Sequence, residues 1–285
     1  MIDVAVVILT YNEELNIAQA LSSVCGWAKQ VFVFDSLSND RTVEMARSFD
    51  GCVVVRHPFE DYGKQRNAAL DQLPIAAEWI LFLDADEYPS EALKREIAAA
   101  VSSLAPENGF HVRRRVMWMG KWIRHGYYST WLMRLFRSGK RRYEARAVNE
   151  HLLVEGPVGY LQGDIVHDNH NGLDRWIEKH LRYAASEARV SLAGVTEGGV
   201  GASLFGTQAE RKRWLRHRVW DRLPLLVRPV LYFGYRYILR GGFLDGPEAF
   251  SFHLLQVLWF QTVVDLKIIE LRRASHGGAD RTPPP

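Results

Sequence analysis

The chain has 285 residues, enough for one large domain or for a domain with an appendage at roughly 100–200 residues per domain. Its 47% hydrophobic and 24% charged content excludes wholesale disorder, and 9 tryptophans supply apolar contact surface. Lys and Arg total 36 against 33 Asp and Glu, a net charge of +3 that is too mild for a dedicated nucleic-acid binder.

The apolar run at 4–9 has neither a basic flank nor a small-residue cleavage signal, so it reads as a first strand and not as a signal peptide. Further β-rich runs are predicted over 31–34, 53–55 and 79–83, with helices over 13–24, 41–49 and 64–73 between them. Asn12 and Asp40 stand where N-caps of the first two helices belong. Cys25 and Cys52 lack the spacing of a disulfide framework or a thiolate zinc site, which suits a reducing compartment. Strand and helix alternating at this spacing imply a doubly wound, mostly parallel sheet, in which ligands sit beyond the carboxyl ends of the strands.

From Gly109 onward β-like pieces are predicted over 110–118, 132–136, 148–154 and 158–166, followed by a helix over 173–190. Residues 194–201 are a loop by glycine content. Two more helical segments, 223–239 and 247–273, precede a polar tail, 274–285, that ends in three prolines and is expected to be disordered. No run reaches the ~18 uninterrupted apolar residues of a spanning helix. The best candidate, 249–264, is broken by Ser251, His253, Gln256 and Gln261, so it would lie on a bilayer more easily than cross it. Between 210 and 240 nine basic residues, Arg228, Arg236 and Arg240 among them, outnumber Glu210 and Asp221 and alternate with aromatics such as Trp220 and Tyr232. That mixture suits the headgroup layer of an anionic membrane, with a basic outer face packed on the rest of the protein as the other reading.

The strand ends carry the chemistry. The first delivers Thr10-Tyr11-Asn12-Glu13, the second Asp35-Ser36 and the fourth Asp84-Ala85-Asp86-Glu87. Tyr11 offers a ring face to a base, and Asp35 can accept from a base or ribose donor. A lone D-x-D is more often a solvated turn, but here it ends the buried-strand run 79–83, and paired carboxylates suit Mg²⁺ or Mn²⁺ completed by phosphate oxygens.

Four motifs in order, Val7-Ile8-Leu9-Thr10-Tyr11-Asn12-Glu13-Glu14, Asp35 to Thr42, Gly63-Lys64-Gln65-Arg66-Asn67-Ala68 and Leu83-Asp84-Ala85-Asp86-Glu87, resemble the signature of family 2 glycosyltransferases with the GT-A fold. Within that family the chain is similar to the bacterial lipopolysaccharide inner-core glucosyltransferase group over about its first 190 residues, Asn149-Glu150-His151 and His167 included. The resemblance implies an α/β, GT-A-type fold with a helical C-terminal extension. With the basic and apolar helical segments read above, the chain divides into a catalytic domain at 1–202 (nucleotide-sugar half 1–104, acceptor half 105–202), a membrane-associating region at 203–273 and the tail. The resemblance implies inverting transfer of a hexose from a nucleotide sugar, UDP-linked by family default, to a hydroxyl of a lipid-linked or lipopolysaccharide-type glycan. The setting would be peripheral, on the inner face of the cytoplasmic membrane.

By the same comparison Thr10, Tyr11, Glu13 and Asp35 hold the nucleoside, Arg66 and Asp84 border the nucleotide, and Asp86 binds the metal. Thr10 stands where many members carry proline. A late histidine completes the metal site in many GT-A enzymes, which gives His167 that role beside the reading of a hydrogen-bonded structural histidine. An acceptor hydroxyl needs a positioned carboxylate to take its proton. Glu150 is the candidate base, Asp164 and Glu144 are rivals, and a surface pair of Glu150 with Arg146 or Arg142 has equal standing. Arg134 and Arg137 are expected on opposite faces of one strand. Trp118, Trp122, Tyr127, Tyr128 and Trp131 would stack on a sugar or pack in the core. A nucleotidyltransferase lacks its Gly-rich basic first loop here, and a non-catalytic glycan- or membrane-binding module would not need Asp35, Asp84 and Asp86 together.

Overall fold

In the computed structural model, residues 1–103, 106–127, 131–139, 141–143, 152–193, 214, 218 and 220–277 are described. Strands β1 (Ile2–Thr10) and β4 (Trp79–Asp84) pair in parallel at the centre of a sheet. Their continuous apolar runs fit burial on both faces. β2 (Ala28–Asp35) and β3 (Cys52–Arg56) extend the parallel sheet on the other side of β1. The helices between them are α1 (Ile17–Val24), α2 (Thr42–Arg47) and α3 (Tyr62–Gln72). Along β1 the side chains alternate: Val4, Val6 and Ile8 pack with Ile17 and Leu21 of α1, whereas Ala5 and Val7 pack with Ala69 of α3. Helices thus cover both faces, as the strand-helix alternation predicts.

The remaining strands are β5 (Glu87–Pro89), β6 (Gly109–Trp118), β7 (Lys121–Trp122), β8 (Trp131–Arg137), β9 (Arg141–Tyr143), β10 (Leu152–Val154) and β11 (Val158–His167), with α4 (Glu91–Ser102) after β5. The sheet order is β3-β2-β1-β4-β8-β6-β11-β5, with β7 on β6 and β9–β10 forming a separate ribbon. β8 runs antiparallel to both β4 and β6, so the sheet is mixed while most pairings along this path stay parallel. Helix α4 is an element the sequence reading lacks. Ser90 caps it by accepting from Leu93 N at 3.2 Å, and Leu93 and Ile97 fill the core.

β11 changes register between Leu161 and Asp164, and Glu96 of α4 accepts the amides of Gln162 (2.6 Å) and Gly163 (3.1 Å) at that bulge. Gly163 is obligatory there, because a Cβ would lie 2.5 Å from the backbone of Leu93.

Two corrections concern helix starts. The first helix begins at Ile17, not at residue 13, because Asn12 takes a left-handed conformation (φ 54°) and residues 13–16 form a turn closed by Asn16 N donating to Glu13 O at 2.9 Å. The third begins at Tyr62 with Asp61 as its cap, accepting from Lys64 N at 2.7 Å.

Residues 1–122 and 128–171 make up one compact unit; 123–127 and 172–285 make up a second. In the second, α5 (Gly172–Ala193) packs along α8 (Phe260–Gly277), and Ala184 and Ala188 meet Val264 and Ile268. Between them lie α6 (Val227–Phe233), extended as a π-helix over Gly234–Leu239, a 3₁₀ turn over Gly242–Asp245, and α7 (Pro247–His253), extended as a π-helix over Leu254–Trp259. Within this unit Asp245 accepts from the amides of Arg124 (2.6 Å) and His125 (2.7 Å). α8 continues four residues beyond Arg273, into the stretch read as tail, and 278–285 lie outside the described residues, as do 194–213. No described helix is long and apolar enough to cross a membrane. Cys25 and Cys52 are free thiols, and burial, with Cys25 nearby, pushes the Cys52 thiol up to about 12.

Candidate active site

Register alone assembles much of the site: Thr10 pairs with Asp35 across β1–β2, and Leu9 pairs with Asp84 across β1–β4. All belong to the first unit and to the carboxyl edge of its sheet. The loops beyond are cross-tied. Ser38 donates to Asp35 through its amide (3.0 Å) and its hydroxyl (2.5 Å) and accepts from Asn12 N at 2.8 Å. Asn12 Oδ1 accepts from Asn39 N at 2.8 Å, and Thr42 Oγ1 from Glu13 N at 2.7 Å. Asp40 accepts from Glu14 N and Thr42 N and so links two loops, but the N-cap of α2 is Arg41, not Asp40 as expected, and it makes no side-chain cap bond. Asp35 is fully buried, whereas Tyr11 is 56% exposed and presents its ring to solvent. The Thr10 hydroxyl is buried with no hydrogen-bond partner among the described residues. Gln65, part of the third motif but given no role there, supports this edge from α3 by donating to Ser36 Oγ at 3.0 Å.

At the end of β4, Asp84 receives two guanidiniums: Arg66 Nη2 on Oδ1 at 3.3 Å and Arg134 Nη2 on Oδ2 at 3.0 Å. Arg134 also donates to Glu87 at 3.0 Å, and the Glu87 carboxylate accepts from Asp84 N at 3.1 Å. Burial opposes ionisation of Asp84, but Arg134 and Arg66 outweigh it and hold its carboxyl well below the usual carboxylate range. Glu87, with no exposed surface, goes the other way: burial raises its pKa despite Arg134. Arg137, three residues on, points elsewhere, onto Glu78 and the Trp79 ring, as strand alternation requires.

Asp86 and His167 come together across β5 and β11, which pair Glu87 with His167. Asp86 Oδ2 lies 3.2 Å from His167 Nε2, and His167 Nδ1 is buried without a partner among the described residues. Burial would lower the pKa of this imidazole, but the Asp86 carboxylate outweighs burial and raises it. Two further residues escaped the sequence reading. Asn169 Nδ2 donates to Asp86 Oδ2 at 2.7 Å, and Asn171 Nδ2 donates to Glu13 Oε2 at 2.8 Å, so the loop after β11 fastens the D-x-D turn and the first loop at once. The repeated asparagines after His167 were the available signal.

Among the described residues no group of three His, Cys, Asp or Glu is placed to hold a metal. A carboxylate oxygen beside an imidazole nitrogen nonetheless fits a divalent cation that takes the rest of its shell from phosphate oxygens and water. A metal there would displace the imidazole proton.

Asp164 is 8% exposed and bound to Arg115 (2.8 Å) and Arg113 (3.3 Å), so its carboxylate is already engaged. Arg113 and Arg115 therefore serve Asp164, and Arg115 also lies over the Trp122 ring at 4.0 Å. Glu150 and Glu144 lie outside the described residues, as does Tyr128.

A family model described as Glycosyl transferase family 2 matches residues 5–155. An uncharacterised glycosyltransferase of Rickettsia typhi is 32% identical over 115 residues, 40% of this chain and 38% of that protein. One of Rickettsia bellii is 41% identical over 90 residues, 32% and 30% of the two. The chain thus spans roughly a third of the length of these curated relatives. Among solved structures, S. aureus TarS 1-349 in complex with UDP-GlcNAc aligns over 96% of this chain and 92% of its own at 14% identity, with a TM-score of 0.49.

Proposed function

The chain belongs to glycosyl transferase family 2, and from that premise we propose that it is an inverting, metal-dependent hexosyltransferase using a UDP-linked donor. The observation that carries the proposal is the meeting of Tyr11, Asp35, Arg66, Asp84, Asp86 and His167 at one edge of one sheet. Tyr11 stacks on the base, and the edge of β1 and β2, with Thr10, Glu13 and Asp35, surrounds the nucleoside. Asp86 and His167 hold a divalent cation, Mg²⁺ or Mn²⁺, whose chemistry when bound is to neutralise charge on the leaving diphosphate. Arg66 and Asp84 border that diphosphate, and the arginine stabilises the same developing charge. Glu150 takes the acceptor's proton from the face opposite the leaving group, so the acceptor oxygen bonds to the anomeric carbon as the bond to the diphosphate breaks.

The acceptor in this reading is a hydroxyl of a lipid-linked or lipopolysaccharide-type glycan at the inner face of the cytoplasmic membrane. The resemblance to the inner-core glucosyltransferases and the basic, aromatic-rich sequence between 210 and 240 support it. The test is cleavage of a panel of UDP-, GDP- and dTDP-sugars by the purified chain with Mn²⁺. Nucleotide release from one UDP-hexose above the others is the expected result, and release from none of them overturns the proposal.

A further inference from the structure

Helix α6, its π extension and α7 are built inside out. The two arginines of α6 and its extension face inward: Arg228 is 4% exposed and bonded through Nε to Asp265 at 2.8 Å, and Arg236 is 8% exposed and donates to Gly126 O at 2.9 Å. Asp245 and His253 are buried too. Their aliphatic residues face out, with Val230, Leu231 and Ile238 more than half exposed, Leu239 at 78%, and Phe243 and Leu244 beside them in the following turn. Ring contacts of Tyr237 with Phe243 and Phe250, and of Phe233 with Phe250, weld helix, turn and α7 into one surface. Folded monomers rarely leave a contiguous apolar patch of this kind in water.

We propose that this crest is a docking surface for an anionic lipid bilayer, into whose headgroup and acyl boundary the 238–244 turn inserts. Charge selects this occupant. The sequence leading into α6 carries Arg211, Lys212, Arg213, Arg216, Arg218 and Arg222 against Glu210 and Asp221; among the described residues Arg218, Arg222 and Arg240 are exposed, Arg222 in the turn that precedes α6 and Arg240 directly after the π extension. Within 223–264 the acids are Asp245, which is buried, and Glu248. Anionic headgroups complement such a basic excess. A second copy does not: an isologous contact would set the same basic, acid-poor surface against itself.

The inference rests on the membrane-surface part of the proposed function, but vesicle binding is measured without donor, and donor cleavage without vesicles, so either can fail alone. The full chain is sedimented with extruded phosphatidylcholine vesicles with and without phosphatidylglycerol. A variant carrying Ile238→Ser, Leu239→Ser, Phe243→Ser and Leu244→Ser is compared with it, and hydrogen exchange of the parent is followed with and without vesicles. Preferential binding to the anionic vesicles, a loss of at least about tenfold in the variant with melting temperature and donor cleavage kept, and slowed exchange across 238–244 are expected. Equal binding of variant and parent overturns the proposal. So does a parent that ignores vesicles, or one whose self-association in the ultracentrifuge the variant abolishes, which would make the crest a dimer face. If the variant fails to fold, exchange on the parent decides: unchanged rates at 238–244 overturn the proposal.

Discussion

Replacing Arg134 by methionine keeps the length of its stem and removes the guanidinium that Asp84 and Glu87 share. Asp84 keeps Arg66, but Glu87 loses its nearest cation while fully buried; the next, Arg114, is 3.8 Å away. Removing one partner of a buried ion pair costs about 3–5 kcal/mol. At about 2–4 °C per kcal/mol for a unit of this size, the melting temperature should fall by roughly 6–20 °C. The sign of the pH dependence follows from Glu87. Its carboxyl is already raised in the folded state, and losing Arg134 raises it further, so the folded protein holds that proton more tightly than the unfolded chain. The deficit should therefore be greatest at about pH 8 and shrink toward pH 5, near the ordinary glutamate value. Adding Glu87→Gln to Arg134→Met removes the stranded charge and should restore roughly 1–3 kcal/mol. Calorimetry on the four proteins of this cycle is the assay. A loss under about 3 °C with no pH dependence, or no recovery on adding Glu87→Gln, would refute the reasoning.

Asp86→Ala should abolish sugar transfer in a protein that still folds, with a lowered melting temperature because Asn169 and His167 lose their partner, and EDTA should silence the parent. Transfer at the parent rate in either experiment removes the metal from the mechanism. Glu150→Gln should keep donor affinity while cutting turnover on the order of 10²–10⁴-fold; if stability and donor affinity fall together, Glu150 is a structural residue. Gly126→Ala should destabilise the second unit, since a Cβ at φ +69° would lie 2.5 Å from both Arg236 O and His253 Nε2. A thermal scan showing parental stability would contradict that geometry.

Much of the first unit was legible because its signals are local. The apolar runs of β1 and β4 and the polar groups that end them need nothing beyond the sequence to suggest a doubly wound sheet with a site at one edge. What was missed depends on distance along the chain. Nothing local tells that Arg134, on an antiparallel strand 50 residues after Asp84, reaches back to the D-x-D turn, or that Asn171 reaches Glu13. Strand β5 is too short for a periodicity, and α4 went unread although Ser90, Leu93 and Ile97 carry a cap and a face. Asn12 has the composition of a helix cap but turns left-handed to hold Asn39. Arg228 and Arg236 count as surface charge in any composition argument, yet each is buried on a partner from a distant segment.

The loops beyond β1 and β2 are held by Ser38, Asn12, Asp40 and Thr42 before anything binds. Ordering a residue's backbone costs about 1–2 kcal/mol of conformational entropy, and here that loss is incurred during folding and not at the moment of recognition. A ligand arriving at this edge therefore meets a rigid frame and should bind with a small entropic penalty. Substitutions of Ser38 or Asn12, which need not touch the ligand, would weaken affinity by loosening that frame, and calorimetry would register the change in the entropy of binding more than in its enthalpy.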